Sequence, residues 1–200
     1  IINPYLNVIY SLKDFKRKLI WDLTRESKIS KKNLTLLKEK YKDKKAIIIC
    51  NGPSLVNTDF EILNNIFTIG LNKINLLFDY NKFRPSCILA VNKFVIEQNH
   101  DFYKKTNIPL FLESNSAKKY NIRANKNKTL LFTSNGFPSF SVDPRSAINQ
   151  GSTVTFVAIQ LAYFMGFTKI ALIGCDHNFT TKGKDHKVVE AEENDPNHFD

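Results

Sequence analysis

Three short apolar runs, each stopping at an asparagine, set the first limit on what this chain can fold into. Ala46–Cys50 leads into Asn51-Gly52-Pro53-Ser54, Phe67–Leu71 into Asn72, and Cys87–Val91 into Asn92. The asparagines lie 21 and 20 residues apart, about the length of one strand plus one helix. In an open parallel sheet, ligands bind in the crevice outside the carboxyl ends of the strands. Successive strand ends would bring Asn51, Asn72 and Asn92 to one edge, where a nucleotide or another polar small molecule is expected. Asparagine supplies 22 of the 200 residues and is a common turn former, so the expectation rests on three in register, not on any one.

The alternation continues along the chain. Ala46–Cys50, Ile66–Leu71, Ser86–Val91, Pro109–Leu112, Thr129–Thr133 and Ile170–Gly174 read as strands. Thr58-Asp-Phe-Glu61 has the form of a capping box that starts a helix. Lys73–Tyr80 and the residues after Asn92 through Lys104 are also expected to be helical. Residues 135–151, with Gly136, Pro138, Pro144 and Gly151, read as an ordered loop or lid. Val154, Val157, Ala158, Leu161, Ala162 and Met165 then form one apolar stripe at helical spacing. Ser152 or Thr153 would cap that helix and Gly166 would end it. Strands alternating with helices imply an α/β fold, a Rossmann-like open, mostly parallel sheet with flanking helices and right-handed crossovers.

Charge divides the chain. Residues 1–45 hold 13 basic and 5 acidic residues, a net of +8, while the other 155 carry only +2. A basic helical arm (1–43) is therefore expected before a nearly neutral domain (44–200). Tyr5–Leu23 and Lys31–Tyr41 read as its helices. Such an arm suits peripheral contact with an anionic membrane or another subunit, or is a solvated lysine-rich face. No nucleic-acid-reading motif accompanies the charge. No apolar run reaches the roughly 18 residues of a bilayer span. Without a signal-peptide pattern or a starting Met, the chain reads as a fragment of a cytoplasmic protein, with peripheral attachment to the inner membrane as a variant. Cys50, Cys87 and Cys175 are odd in number and lie in or beside apolar runs, which suits free thiols.

Two turns could hold an anion. Asn51-Gly52-Pro53-Ser54 lacks the spacing of either common glycine-rich phosphate loop, but Gly52 permits close approach, Pro53 fixes the turn and Ser54 offers donors. Gly151-Ser152-Thr153 opens the long helix, where free amides and the helix dipole favour a phosphate, although a plain cap needs no ligand. Asp176-His177-Asn178 follows the last strand, and His198 lies in a polar stretch further on. Histidine suits proton transfer near neutral pH. Asp176, His177 and His198 are also legitimate metal-ligand types, without the usual paired spacing. His100 and His186 read as surface residues.

The strand-Asn51-Gly-Pro-Ser-Leu55 opening, Gly70-Leu-Asn-Lys-Ile74, Gly151-Ser-Thr-Val-Thr155, Gly166-Phe-Thr-Lys-Ile-Ala-Leu-Ile-Gly-Cys-Asp-His-Asn-Phe179 and Asn197-His-Phe199 resemble a bacterial domain catalogued as similar to archaeal 6-hydroxymethylpterin diphosphokinase. The resemblance covers about residues 44–200. The same opening and the helix-strand-Gly-x-Asp segment are also similar to small bacterial sialyltransferases that use CMP-sialic acid. By that resemblance Asn51, Ser54, Asn72, Asn92 and Ser152 would contact the nucleotide, and His198 would deprotonate the acceptor. No metal would be required. The tyrosines those enzymes carry after Gly-x-Asp are replaced here by His177 and Asn178, with Lys182, Lys184 and His186 nearby.

Three functions follow as expectations. The first is an inverting glycosyltransferase with a nucleotide-activated sugar and a glycan or lipid-linked acceptor, His198 serving as base. The second is an ATP-dependent diphosphokinase, with Mg²⁺ near Asp176 and His177. The third is a nucleotide- or sugar-binding domain without catalysis. An oligomer is compatible with all three.

Overall fold

The computed structural model describes residues 14–134 and 139–176. Helix α1 (residues 14–22) and α2 (Arg25–Leu37) precede β1 (Lys45–Ile49). There follow β2 (Phe67–Leu71), β3 (Cys87–Ala90), α3 (Lys93–Gln98), α4 (His100–Lys105), β4 (Leu110–Glu113), α5 (Ser114–Lys119) and β5 (Lys128–Leu131). The short strands β6 (Thr133–Ser134) and β7 (Ile148–Asn149), helix α6 (Val154–Phe164) and β8 (Lys169–Ile173) complete the described elements.

Six strands form one parallel sheet in the order β5-β4-β3-β2-β1-β8, and β6 pairs with β7 separately. The Rossmann-like expectation is met. β1 to β4 read as continuous apolar runs because both faces are covered. On one face, α2 and α6 pack Leu34, Val157, Leu161 and Ala162 against Ala46, Ile48, Ile69 and Leu71. On the other, Leu55, Phe60, Leu63, Ile74, Leu77, Ile96 and Tyr103 cover Ile49, Ile88 and Leu112. β8 is an edge strand, and Leu172 in it is 46% exposed.

Several connections are tighter than the expected helices. After β1 the chain makes two 3₁₀ turns, Pro53–Asn57 and Phe60–Leu63. The second is capped by Asp59, which accepts from the Glu61 amide, whereas the Thr58 hydroxyl donates to Ser54 O. The Thr58 side chain therefore does not start the second turn. A 3₁₀ turn at Ile74–Asp79 replaces the helix expected at Lys73–Tyr80. These segments need only drop Leu55, Leu63 and Leu77 onto the sheet, and single turns suffice. The helix expected through Lys104 divides at Asn99 into α3 and α4. The unforeseen α5 is nucleated by Glu113, whose carboxylate accepts from Asn115 N at 2.8 Å and Ser116 N at 2.7 Å.

Helix α6 starts at Thr153, whose Oγ1 accepts from Phe156 N at 3.1 Å, so Thr153 and not Ser152 is the cap. Gly166 ends it at φ +93°, where an added Cβ would lie 3.0 Å from Glu39 Cα. Helix α2 belongs to the same packed body as the sheet: Leu34 is buried in the core, and the buried Ser30 Oγ accepts from Leu130 N at 2.9 Å. No helix among the described residues is long and apolar enough to cross a membrane.

Candidate functional site

Strand order places the crevice. The chain runs outward from β1 to β5, then returns to lay β8 on the other side of β1. The carboxyl ends of β1 and β8 thus flank the topological switch point, where open α/β sheets bind ligands. Asn51 and Gly52 leave β1 there, beside Gly174, Cys175 and Asp176 leaving β8. Their backbones stay paired beyond the strands, with Cys50 N on Ile173 O at 2.9 Å and Gly52 N on Gly174 O at 2.8 Å. A Cβ at position 52 would fall 2.6 Å from Gly174 O, so only glycine allows this approach. Pro53 starts the 3₁₀ turn at its first position, and the Asp176 carboxylate accepts from Ser54 N at 2.7 Å. The amide that the sequence offers to a phosphate is thereby held by a side chain of the same crevice.

The second anion turn lies over the neighbouring strand ends. Thr155, in the first turn of α6, has its hydroxyl 3.8 Å from Cys50 Sγ at the end of β1. Gln150 Nε2 donates to Val91 O, just past β3, at 3.2 Å. Gly151-Ser152-Thr153 therefore bridges from β3 to β1, across the end of β2. Gly151 adopts φ +55°, and its amide donates to Asn149 Oδ1 at 2.8 Å. The buried Gln160 of α6 braces this segment by accepting from Ser141 N at 2.8 Å and donating to Asn149 O at 2.8 Å.

Asn72, at the end of β2, stands at φ +49°, a left-handed geometry that asparagine tolerates. Its carbonyl accepts from Tyr103 OH at 2.9 Å, while its buried Oδ1 has no hydrogen-bond partner among the described residues. An unsatisfied buried acceptor at a strand end is an atom that a bound donor would satisfy. Asn92 differs: its Oδ1 accepts from Phe94 N and Val95 N and caps α3.

A cavity of about 430 Å³ opens at the carboxyl ends of β3, β4 and β5, lined among others by Asn92, Lys93, Glu113, Thr133 and Gln150. Arg17 of α1 also lines it, 3.5 Å from Thr133 O and with its guanidinium 5.2 Å from the Phe132 ring centre. Two cations thus reach this edge, Arg17 from the N-terminal segment and Lys93 from α3. No local pattern connects residue 17 with residue 133. Gln150 and Gln160 escape a sequence reading for a similar reason, since amides beside apolar runs look like ordinary surface residues. A larger hollow, about 550 Å³, lies by the amino ends of β2 and β3, away from this edge.

Burial pushes the Cys50 thiol up to about 12, and neighbouring Cys175 and Asp176 add to the rise. Cys50 is therefore a protonated thiol at neutral pH, not a nucleophile. Among the described residues no three His, Cys, Asp or Glu side chains converge to hold a metal. His177, His186 and His198 lie outside the described residues. His100 is a surface residue, stacked on Tyr120 with ring centres 5.0 Å apart.

Comparison with known proteins places this geometry. No curated protein matches the chain. Its fold is similar to the MAf glycosyltransferase from Magnetospirillum magneticum AMB-1, with a TM-score of 0.50 and 15% identity over 82% of this chain. That match spans only 29% of the glycosyltransferase, so the likeness is one of fold. A family model described as 6-hydroxymethylpterin diphosphokinase MptE-like matches residues 23–182, taking in α2 as well as the whole sheet. The chain belongs to this MptE-like family.

Proposed function

We propose that the chain is the nucleotide-binding part of a transferase, and that it moves a sugar from a nucleotide-activated donor to a hydroxyl acceptor with inversion. The observation that carries this reading is the placement of Gly151-Ser152-Thr153 and the α6 N-terminus across the strand ends from β3 to β1. Thr153 Oγ1 takes one orphan amide of α6. The other first-turn amides point along the helix axis toward that edge, a setting that favours a phosphate. Asn51 and Asn72, with the latter's unpaired Oδ1, would meet the base and ribose. In the reaction the bond from the sugar's anomeric carbon to the donor phosphate breaks as the acceptor oxygen bonds to that carbon. The acceptor proton passes to His198, general-base help worth on the order of 10²–10⁴-fold. The departing nucleotide phosphate keeps the electron pair, facing the helix terminus. A cytidine nucleotide with sialic acid is the donor that the similarity to sialyltransferases suggests, and a glycan or lipid-linked acceptor goes with it.

Arg17 and Lys93 in the 430 Å³ cavity favour a second reading, the diphosphokinase, because cations there would offset the charge of ATP. Mg²⁺ would be supplied with the nucleotide, and Asp176 and His177 are the residues that the sequence offers to hold it.

Calorimetry with CMP and with ATP plus Mg²⁺ separates the two. The transferase reading expects metal-independent CMP binding, and His198→Ala should abolish transfer with CMP affinity within about threefold of the parent. Mg²⁺-dependent ATP binding without CMP binding would select the kinase. Nucleotide binding without turnover of any donor would leave a binding domain.

A further inference from the structure

Helix α1 carries an apolar stripe on its outer side, although its Trp21 packs inward on the core. Arg17, Lys18 and Asp22 face the protein: Arg17 stacks on Phe132, Lys18 Nζ lies 5.9 Å from the same ring centre, and Asp22 Oδ1 accepts from Lys31 Nζ at 2.7 Å. The opposite face holds Phe15, Leu19, Ile20 and Leu23, which are 64%, 51%, 58% and 82% exposed. At 100° per residue these four fall within about 140° of arc, with the exposed Lys16 among them. Soluble helices turn such a stripe inward. Here the inner side is anchored by Arg17 and Lys18 with the partly buried Trp21 between them, while the Phe15-Leu19-Ile20-Leu23 stripe is offered to the surroundings.

The neighbouring charge decides among the occupants of that face. The next helix, α2, exposes Arg25, Lys28 and Lys32 at i, i+3 and i+7, a basic stripe without an exposed acidic residue between its members. An exposed apolar stripe on one helix followed by an exposed basic stripe on the next suits the boundary of headgroups and acyl chains in an anionic bilayer. A second copy of this chain would bring the same positive charge against itself. We infer that α1 is an interfacial anchor, its Phe15-Leu19-Ile20-Leu23 face seated in an anionic lipid surface and the Arg25-Lys28-Lys32 stripe held at the headgroups. Arg17 on the inner side of α1 lines the 430 Å³ cavity, so the anchor would hold that cavity close to the bilayer. This inference does not depend on whether a sugar or a diphosphate is transferred.

The test is flotation of the whole chain with vesicles of phosphatidylcholine alone or with about one-third phosphatidylglycerol, at low and high salt. Binding is expected to the anionic vesicles only, and to weaken with salt. Leu19→Glu/Leu23→Glu should reduce the partition coefficient at least tenfold. Because both residues are exposed, its melting temperature and its nucleotide binding should match those of the parent, so loss of the anchor is distinguishable from failure of the transferase reading. Arg25→Glu/Lys28→Glu should remove the preference for anionic lipid. Equal binding to neutral vesicles, no binding at all, or binding unchanged in the leucine variant would overturn the inference. So would concentration-dependent dimerisation that the leucine variant abolishes, since the face would then belong to a second copy.

Discussion

At the scale of single residues, position 52 is held by sterics. Gly52→Ala forces a Cβ to within 2.6 Å of Gly174 O, and the loop must move away from β8. A loss of about 2 kcal/mol or more is expected in denaturant melts, together with weaker nucleotide binding. Gln160→Leu tests the brace instead of the loop. It keeps the volume but removes the acceptor of Ser141 N and the donor to Asn149 O, a cost of about 1–3 kcal/mol. Under the proposed function its nucleotide affinity should fall while the CD spectrum is kept. An unchanged affinity would detach the Gly151–Thr153 segment from binding. Asp143 supplies a pH signature. The hydrogen bonds from Arg145 outweigh its partial burial and hold its carboxyl below the ordinary 3.8. A depressed native value contributes stability above the unfolded pKa, lost as pH falls through the native one. The pair is exposed enough that less than about 1 kcal/mol is at stake. The gap in melting temperature between parent and Asp143→Asn should be seen near neutral pH and close as pH falls below the ordinary carboxylate range.

At the scale of elements, the joint between α2 and β5 is the informative one. Ser30 is fully buried in α2, and its Oγ accepts from Leu130 N. Ser30→Ala would leave that amide buried without a partner, costing about 1–3 kcal/mol. If α2 were a detachable arm, the melting temperature would not move. The strands and α6 are legible in sequence because long apolar runs and a 3.6-residue stripe dominate their neighbourhoods. The connections after β1 and β2 are not. Thr58-Asp-Phe-Glu61 has the composition of a capping box, yet Asp59 takes the amide because the chain must bend at once to bury Phe60 and Leu63. Glu113 hid a helix start for the opposite reason. A carboxylate at the end of an apolar strand reads as a polar boundary until the turn behind it is seen to close on its oxygens.

At the scale of the whole molecule, two cores clasp one sheet, and the aromatic group Tyr41, Phe67 and Phe167 closes the amino edge on the α6 side. Tyr41 and Phe167 stack with ring centres 4.9 Å apart, and Phe167 is buried. Phe167→Ala should cost about 3–5 kcal/mol, seen as a shifted denaturation midpoint with unchanged m. A much smaller loss would mean that this edge repacks. Charge is also organised at this scale: the basic segment 1–45 wraps part of itself against the sheet and delivers Arg17 to the far edge.

What the sequence determined alone is the alternation of strands and helices, the parallel sheet and the carboxyl edge bearing Asn51 and Asn72. Those follow from local apolar periodicity and from turn residues, which act over a few positions. Only the tertiary structure decided that Asp176 holds the Ser54 amide, that Gly151–Thr153 lies over the strand ends, and that Arg17 joins the cavity. It also decided that α1 turns its apolar face outward. Each of these depends on which groups 59 to 122 residues apart come close, or on which side of a helix the rest of the chain packs. Strand order and close packing settle such matters, and local pattern does not record them.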